Sequence, residues 1–157
     1  MSFAFDVRVY WEDTDAGGIV FYANYLKFME RARTEWLRSL GIAQHTLRET
    51  AGGMFVVSET QLKYHRPTRL DDELRVTAEL RQIGSASLII GQRVLLKPVP
   101  APDRELEQPS DPQLLVCEGT IRIGWVDDTT LRPARMPRDV AGTLERYRIA
   151  LSHTFTS

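Results

Sequence analysis

The residues from Tyr25 to Leu40, Y-L-K-F-M-E-R-A-R-T-E-W-L-R-S-L, set Tyr25, Phe28, Met29, Ala32, Trp36, Leu37 and Leu40 at three- and four-residue steps. That period stacks the apolar side chains on one face of an α-helix and predicts a helix over 25–40, about 24 Å long. Asn24 is a residue type that caps helix starts, and Gly41 supplies the stop. The opposite face carries Lys27, Arg31, Thr34 and Arg38, with Arg33 and Glu35 further round, so it is expected to be half solvated or to meet another subunit.

On either side of this helix the period changes to two. Phe3, Phe5, Val7 and Val9 alternate with Ala4, Asp6 and Arg8, which predicts a first strand with one face on a core. Trp11 to Gly18 is expected to be a loop. Further on, Met54–Tyr64, Glu73–Gln82, Ser85–Lys97 and Gln113–Val126 read as extended, most clearly where Leu74, Val76, Ala78 and Leu80 alternate. Turn-rich segments separate them. The segment from Pro98 to Pro112 holds five of the eight prolines and an excess of acids, and is expected to be a mobile hairpin tip (98–112). Arg138 to Leu151 predicts a closing helix, with 138–157 as a C-terminal helix and tail. Strand, long helix, then a run of strands specifies an α+β domain with the helix against one face of an antiparallel sheet.

Composition narrows the function. A chain of 157 residues, 43% hydrophobic, is the size of one domain. Lys and Arg total 20 against 21 Asp and Glu, for a net charge of −1, so no global field draws the protein to nucleic acid or to an anionic membrane. No apolar run approaches the ~20 residues of a membrane span. The single cysteine, Cys117, excludes an internal disulfide, and His45, His65 and His153 are too scattered to suggest a metal box. A cytoplasmic protein with no metal is expected.

The chemistry concentrates between Tyr10 and Tyr25, Y-W-E-D-T-D-A-G-G-I-V-F-Y-A-N-Y, where carboxylates and paired glycines precede a helix start. The aligned peptide dipoles leave about half a positive charge there, and the free N–H groups can hold a negative oxygen. A carboxylate beside them can serve as base or nucleophile toward a carbonyl. Read from spacing alone, Asp before a helix is more often a cap and Gly-Gly more often a turn.

The run D-T-D-A-G-G-I-V-F-Y-A-N-Y-L-K-F-M-E-R-A-R-T-E-W-L, Asp13 to Leu37, resembles the signature of hotdog-fold thioesterases of the 4-hydroxybenzoyl-CoA thioesterase type. Within that group it is most similar to the Tol-Pal-associated acyl-CoA thioesterases. Y-H-R-P-T-R-L-D-D-E-L, Tyr64 to Leu74, resembles the same family's link between its second and third strands. The resemblance implies a hotdog fold, a long helix wrapped by a curved, five-stranded antiparallel sheet, and hydrolysis of an acyl-CoA thioester. It places the catalytic carboxylate on Asp15, leaving Asp13 as a decoy. The backbone N–H that polarises the thioester carbonyl falls on Tyr22, and Gly18 would allow close backbone approach to the substrate. Many Tol-Pal-associated members carry His where this chain has Tyr22, so a His-assisted route is absent locally and the position resembles the hydroxybenzoyl-CoA branch. The resemblance also implies dimers or tetramers with sites at the dimer interface, and no cofactor, since CoA arrives as part of the substrate.

Other residues admit two readings each. Tyr25 would line the acyl pocket or belong to the core. Glu30 would bond the preceding loop, or pair with Arg33 or Arg66, in a structural role, or else take a catalytic one. Lys63, Arg66 and Arg69 would meet CoA phosphates or simply be solvated. Cys117 is expected to be a buried strand residue and His65 a loop residue. Two alternative functions stand beside the hydrolase. A hydroxyacyl-thioester dehydratase would need a site His, and none precedes Gln44. A non-catalytic protein binding an acyl carrier protein or an envelope partner would not need Asp15.

Overall fold

The computed structural model describes residues 3–98 and 114–154. Its elements are β1 (Phe3–Arg8), α1 (Tyr25–Ser39), α2 (Gln44–Ala51), β2 (Gly53–Tyr64), β3 (Glu73–Ile83), β4 (Ser87–Leu96), β5 (Leu115–Asp127) and α3 (Arg138–Thr154). Short 3₁₀ turns at Trp11–Asp13 and Tyr22–Asn24 flank the loop between β1 and α1. All neighbouring strands run antiparallel, in the order β1-β3-β4-β5-β2. The mobile tip expected at 98–112 lies, beyond Pro98, outside the described residues.

The sheet bends because three of its pairings slip by a residue. Register shifts fall between Val57 and Glu59, between Leu80 and Gln82, and between Val94 and Leu95. Each extra residue sharpens the local twist and turns the strand around the helix. Into that curve α1 buries Phe28, Met29, Ala32, Trp36 and Leu37, the face its period predicts, against Leu74, Val76, Leu88, Ile90 and Ile121. Met136, Val140 and Leu144 bring the start of α3 into the same core.

The C-terminal end of α1 follows from Gly41, which adopts φ +81°, a conformation that costs other residues a steric clash. Its N–H donates to the Arg38 carbonyl at 3.0 Å, and the Ile42 N–H reaches the Leu37 carbonyl at 2.9 Å. Those two bonds satisfy carbonyls that the helix end leaves open and turn the chain so that Ile42 is buried.

Two expectations about α1 need correction. Arg33, placed on the half-solvated face, is only 7% exposed. It donates from Nη1 to Gln92 Oε1 at 2.8 Å, while Gln92 Nε2 donates to the carbonyls of Met29 and Thr77. A buried guanidinium needs acceptors, and a fully buried amide on β4 supplies one while satisfying its own donors on backbone. Burial also pushes the Arg33 pKa down, against the opposing charge of Glu30. Glu30 itself is exposed, and among the ion pairs of the described residues it has none with Arg33 or Arg66. The second correction concerns Asn24. Because a 3₁₀ turn precedes α1, Asn24 already has helical dihedrals, φ −69° and ψ −23°, and its side chain makes no capping bond.

Candidate active site

The loop entering α1 is a tight hairpin built by D-A-G-G. The Gly18 N–H donates to the Asp15 carbonyl at 3.0 Å and the Asp15 N–H donates to the Ile19 carbonyl at 2.8 Å. Gly18 sits at φ +79°, the left-handed conformation such a turn demands, and a Cβ there would meet open space. Its requirement is therefore conformational. Asp15 Oδ1 accepts the N–H of Gly17 at 2.8 Å, the usual way an Asp side chain heads a turn, and Thr14 bridges Val20 to close the hairpin stem. The Asp15 carboxylate remains exposed at the tip.

Asp13, two residues earlier, does different work. It is 4% exposed; Oδ2 accepts the Tyr10 N–H at 2.9 Å and Oδ1 accepts Asn24 Nδ2 at 2.8 Å. Its carbonyl also accepts the Phe21 N–H at 3.1 Å. Asp13 thus fastens the hairpin stem to the turn that opens α1, with Asn24 as its side-chain partner across the gap.

That opening turn begins after Phe21, whose φ −61° and ψ 130° are extended, and its first closing bond runs from the Asn24 N–H to the Phe21 carbonyl. A helix start leaves its first donors without intrahelical acceptors. Among the described residues the N–H groups of Tyr22 and Ala23 accordingly meet no acceptor of the chain. Beside them lies a mainly apolar cleft of about 310 Å³, lined by Ile19, Val20, Tyr22, Tyr25, Tyr64, His65, Arg66 and Pro67.

Aromatic packing holds the cleft wall. Tyr64, at the end of β2, donates its hydroxyl to the Tyr22 carbonyl at 3.0 Å and stands edge-on to the Tyr22 ring, centroids 6.3 Å apart. The ring of Tyr25 lies 6.0 Å from that of Tyr64. Tyr25 is buried, with its hydroxyl 2.7 Å from Thr68 Oγ1, and burial raises its pKa above the ordinary value. Thr68 in turn accepts the Val20 N–H on its carbonyl at 2.8 Å. Tyr25 therefore serves the core and the cleft together.

The residues singled out by sequence are thus divided. Tyr22 and Tyr25 share the cleft, whereas Asp15 and Gly18 stand on the adjoining hairpin, one arm of which, Ile19 and Val20, forms the cleft wall. Arg66 lines the cleft; Arg69 pairs by backbone with Ile19; Lys63 lines a different groove on the sheet. His65 follows the end of β2, its Nε2 3.3 Å from Glu118 Oε1. Cys117 is buried and its thiol is pushed up to about 12 by loss of solvent, which makes it a poor nucleophile. Sequence reasoning missed Tyr64, although it opens the quoted stretch Tyr64 to Leu74. Among the described residues no group of three His, Cys, Asp or Glu side chains is placed to hold a metal, and no helix is long and apolar enough to cross a membrane.

A model of the family described as the thioesterase-like superfamily matches residues 9–144. The acyl-CoA thioesterase YbgC of Haemophilus influenzae is 37% identical over 147 residues, 94% of this chain and 97% of that protein. The acyl-CoA thioester hydrolase YbgC of Escherichia coli O6:H1 is 33% identical over 144 residues, 92% of this chain and 96% of that one. The solved DHNA-CoA thioesterase of Staphylococcus aureus superposes with a TM-score of 0.81 over 99% of this chain and 96% of its own, and at 16% identity it shows the common fold. Sheet, enclosed helix and sequence agree: the chain belongs to the thioesterase-like superfamily and has the hotdog fold.

Proposed function

We propose that the protein hydrolyses an acyl-CoA thioester to the free acid and CoA, with Asp15 as the reacting carboxylate and the Tyr22 N–H as the donor to the carbonyl oxygen. The observation that carries this is the pair of unsatisfied N–H groups at Tyr22 and Ala23 opening the turn before α1, next to an apolar cleft and to the hairpin that bears Asp15. The names of the Haemophilus and Escherichia relatives support acyl-CoA as the substrate class.

The thioester carbonyl lies with its oxygen on those amides. In one route an Asp15 oxygen adds to the carbonyl carbon, the C–S bond breaks, and the thiolate of CoA leaves and takes up a proton. The mixed anhydride then adds water and returns the carboxylate. In the other route Asp15 removes a proton from a water molecule that attacks directly. Both build negative charge on the same oxygen, where one preorganised donor is worth about 3 kcal/mol of barrier. The apolar lining formed by Ile19, Val20 and Pro67 strengthens that interaction by excluding water.

Two features support a homo-oligomer as the working form, dimer or tetramer. Strand β2 is an edge of the sheet, with Val56 and Val57 exposed along it, and unpaired edges of this kind invite a second copy. The Asp15 carboxylate is exposed on the single chain, so a neighbouring subunit would complete its enclosure. CoA enters and leaves as substrate rather than as a resident cofactor, an acyl carrier protein is a second acyl donor of the same thioester chemistry, and a cytoplasmic location suits such substrates.

The test is thiol release from a panel of acyl-CoA chain lengths by the protein and by Asp15→Asn and Asp15→Ala. Loss of release in folded variants supports the proposal; undiminished release removes Asp15 from the mechanism. No release by the unaltered protein at any chain length would favour a non-catalytic binding protein.

A further inference from the structure

We propose that Tyr64 is a positioning residue for the reaction: its hydroxyl, bonded to the Tyr22 carbonyl, aims and polarises the Ala23 N–H, the second of the two amides that meet the thioester oxygen. This rests on the acyl-CoA reading and adds to it a side chain, on another element, that tunes the place where charge builds up. A peptide group is planar and trans, so its C=O and its N–H point in opposite directions from one rigid plate. The carbonyl of Tyr22 and the N–H of Ala23 belong to the same plate. Whatever holds that carbonyl therefore fixes the direction of that N–H.

The two donors are braced in this way from different sources. The plate that ends in the Tyr22 N–H carries the Phe21 carbonyl, which accepts the Asn24 N–H at 2.8 Å. Asn24 is itself fastened to Asp13 through its side chain. The plate that ends in the Ala23 N–H is held by Tyr64, which reaches it at 3.0 Å from the end of β2. A carbonyl only accepts, so the hydroxyl is the donor in this bond. Partial loss of solvent raises the Tyr64 pKa above the ordinary value, which keeps its proton in place at neutral pH. Hydrogen bonds in series strengthen one another, so drawing charge onto the Tyr22 oxygen makes the Ala23 N–H a better donor. The ring is steadied for this on two sides, edge-on to Tyr22 with centroids 6.3 Å apart and 6.0 Å from the ring of Tyr25. Tyr64 is 44% exposed, so burial does not oblige its hydroxyl to find a partner within the protein. An interaction that strengthens as the thioester oxygen becomes negative favours the transition state over bound substrate, and so acts on kcat rather than on KM.

The experiment measures thiol release in a single turnover at saturating acyl-CoA by the full chain and by Tyr64→Phe, which keeps the ring and removes the hydroxyl. Deleting an oxyanion donor outright costs about a hundredfold or more, and loosening one of two should cost about three- to tenfold in rate. KM should stay within about twofold, and the melting temperature should be unchanged. An equal rate overturns the proposal. So does a variant with the parent rate and a raised KM, which would leave Tyr64 as cleft wall alone. A second measurement needs no hydrolysis. An acyl-CoA ketone analogue, with a methylene in place of the thioester sulfur and an isotope-labelled carbonyl, reports through its infrared stretch how strongly the bound oxygen is polarised. The stretch should lie lower on the parent protein than in water, and Tyr64→Phe should return part of that shift, even if the chain cleaves no thioester. An equal stretch on both proteins overturns the proposal while hydrolysis by the parent leaves the acyl-CoA reading standing. Failure of the parent to bind the analogue overturns both.

Discussion

Replacing Asp13 and Asp15 separately by alanine should divide folding from chemistry across two residues of sequence. In Asp13→Ala the acceptors of the Tyr10 N–H and of Asn24 Nδ2 both disappear, and Asn24 is itself only 6% exposed. An unsatisfied buried donor costs about 1–3 kcal/mol. The Asn24 amide takes the upper part of that range, and the half-buried Tyr10 N–H the lower, for a total of about 3 kcal/mol. A domain of this size loses about 2–4 °C of Tm per kcal/mol, so Asp13→Ala should melt about 6–12 °C below the parent. Asp15→Ala removes an exposed carboxylate whose better bond is to Gly17 at 2.8 Å, the other being 3.4 Å to Ile19, and the expected shift is about 1–2 °C. Scanning calorimetry measures both, and thiol release from acyl-CoA at 20 °C should be absent in Asp15→Ala but detectable in Asp13→Ala. An Asp13→Ala protein melting within about 2 °C of the parent would refute the assignment of Asp13 as the fastening residue.

Gly53→Ala should destabilise by about 1–3 kcal/mol, since the added Cβ would lie 2.4 Å from the ring of Trp125, and a lower urea midpoint followed by tryptophan fluorescence would show it. Asp6 has its pKa held below the carboxylate range by hydrogen bonds from Arg75 and Lys97, against burial that raises it. Its contribution is therefore complete above the unfolded value of about 3.9 and is lost as pH falls through the lowered folded value, so urea midpoints of the parent and Asp6→Asn should differ at pH 7 and converge toward about pH 2. Cys117, buried and with its thiol at about 12, should resist a thiol reagent at pH 8 in the native protein and react fully in denaturant; rapid native labelling would contradict its burial.

The elements that carried a clear period were legible in the sequence nearly to the residue. The helix expected at 25–40 spans Tyr25–Ser39, and the strand expected at Glu73–Gln82 spans Glu73–Ile83. Helix α2 was not legible, because Q-H-T-L-R-E-T-A buries none of its residues and so leaves no apolar stripe to detect. Strand order was also hidden, since alternation tells which face is buried but not which neighbour is paired. At the site, the loop before α1 could be read from its paired glycines, whereas its hairpin pairing and the burial of Asp13, which depends on Asn24 eleven residues away in sequence, could not. The capping expectation for Asn24 failed because the intervening 3₁₀ turn moved the helix boundary back to Phe21. Tyr64 acts through a carbonyl forty-two residues distant, a relation that no local pattern encodes.

The positions of β1 and β2 at opposite margins of the sheet govern how the protein leaves the ribosome. Each has one partner in the chain, and that partner is made late: Phe5 pairs with Val76 and Phe55 with Trp125, about seventy residues downstream in both cases. The nascent β1 and β2 must wait through that synthesis with their backbone groups unmatched, whereas β3 and β4 can zip together as soon as their short connection emerges. The last-made strand, β5, then recruits β2 from long before it, so a chain stalled before residue 115, in which β1 already has its partner β3, would still expose β2 and the open edge of β4 to holdase chaperones.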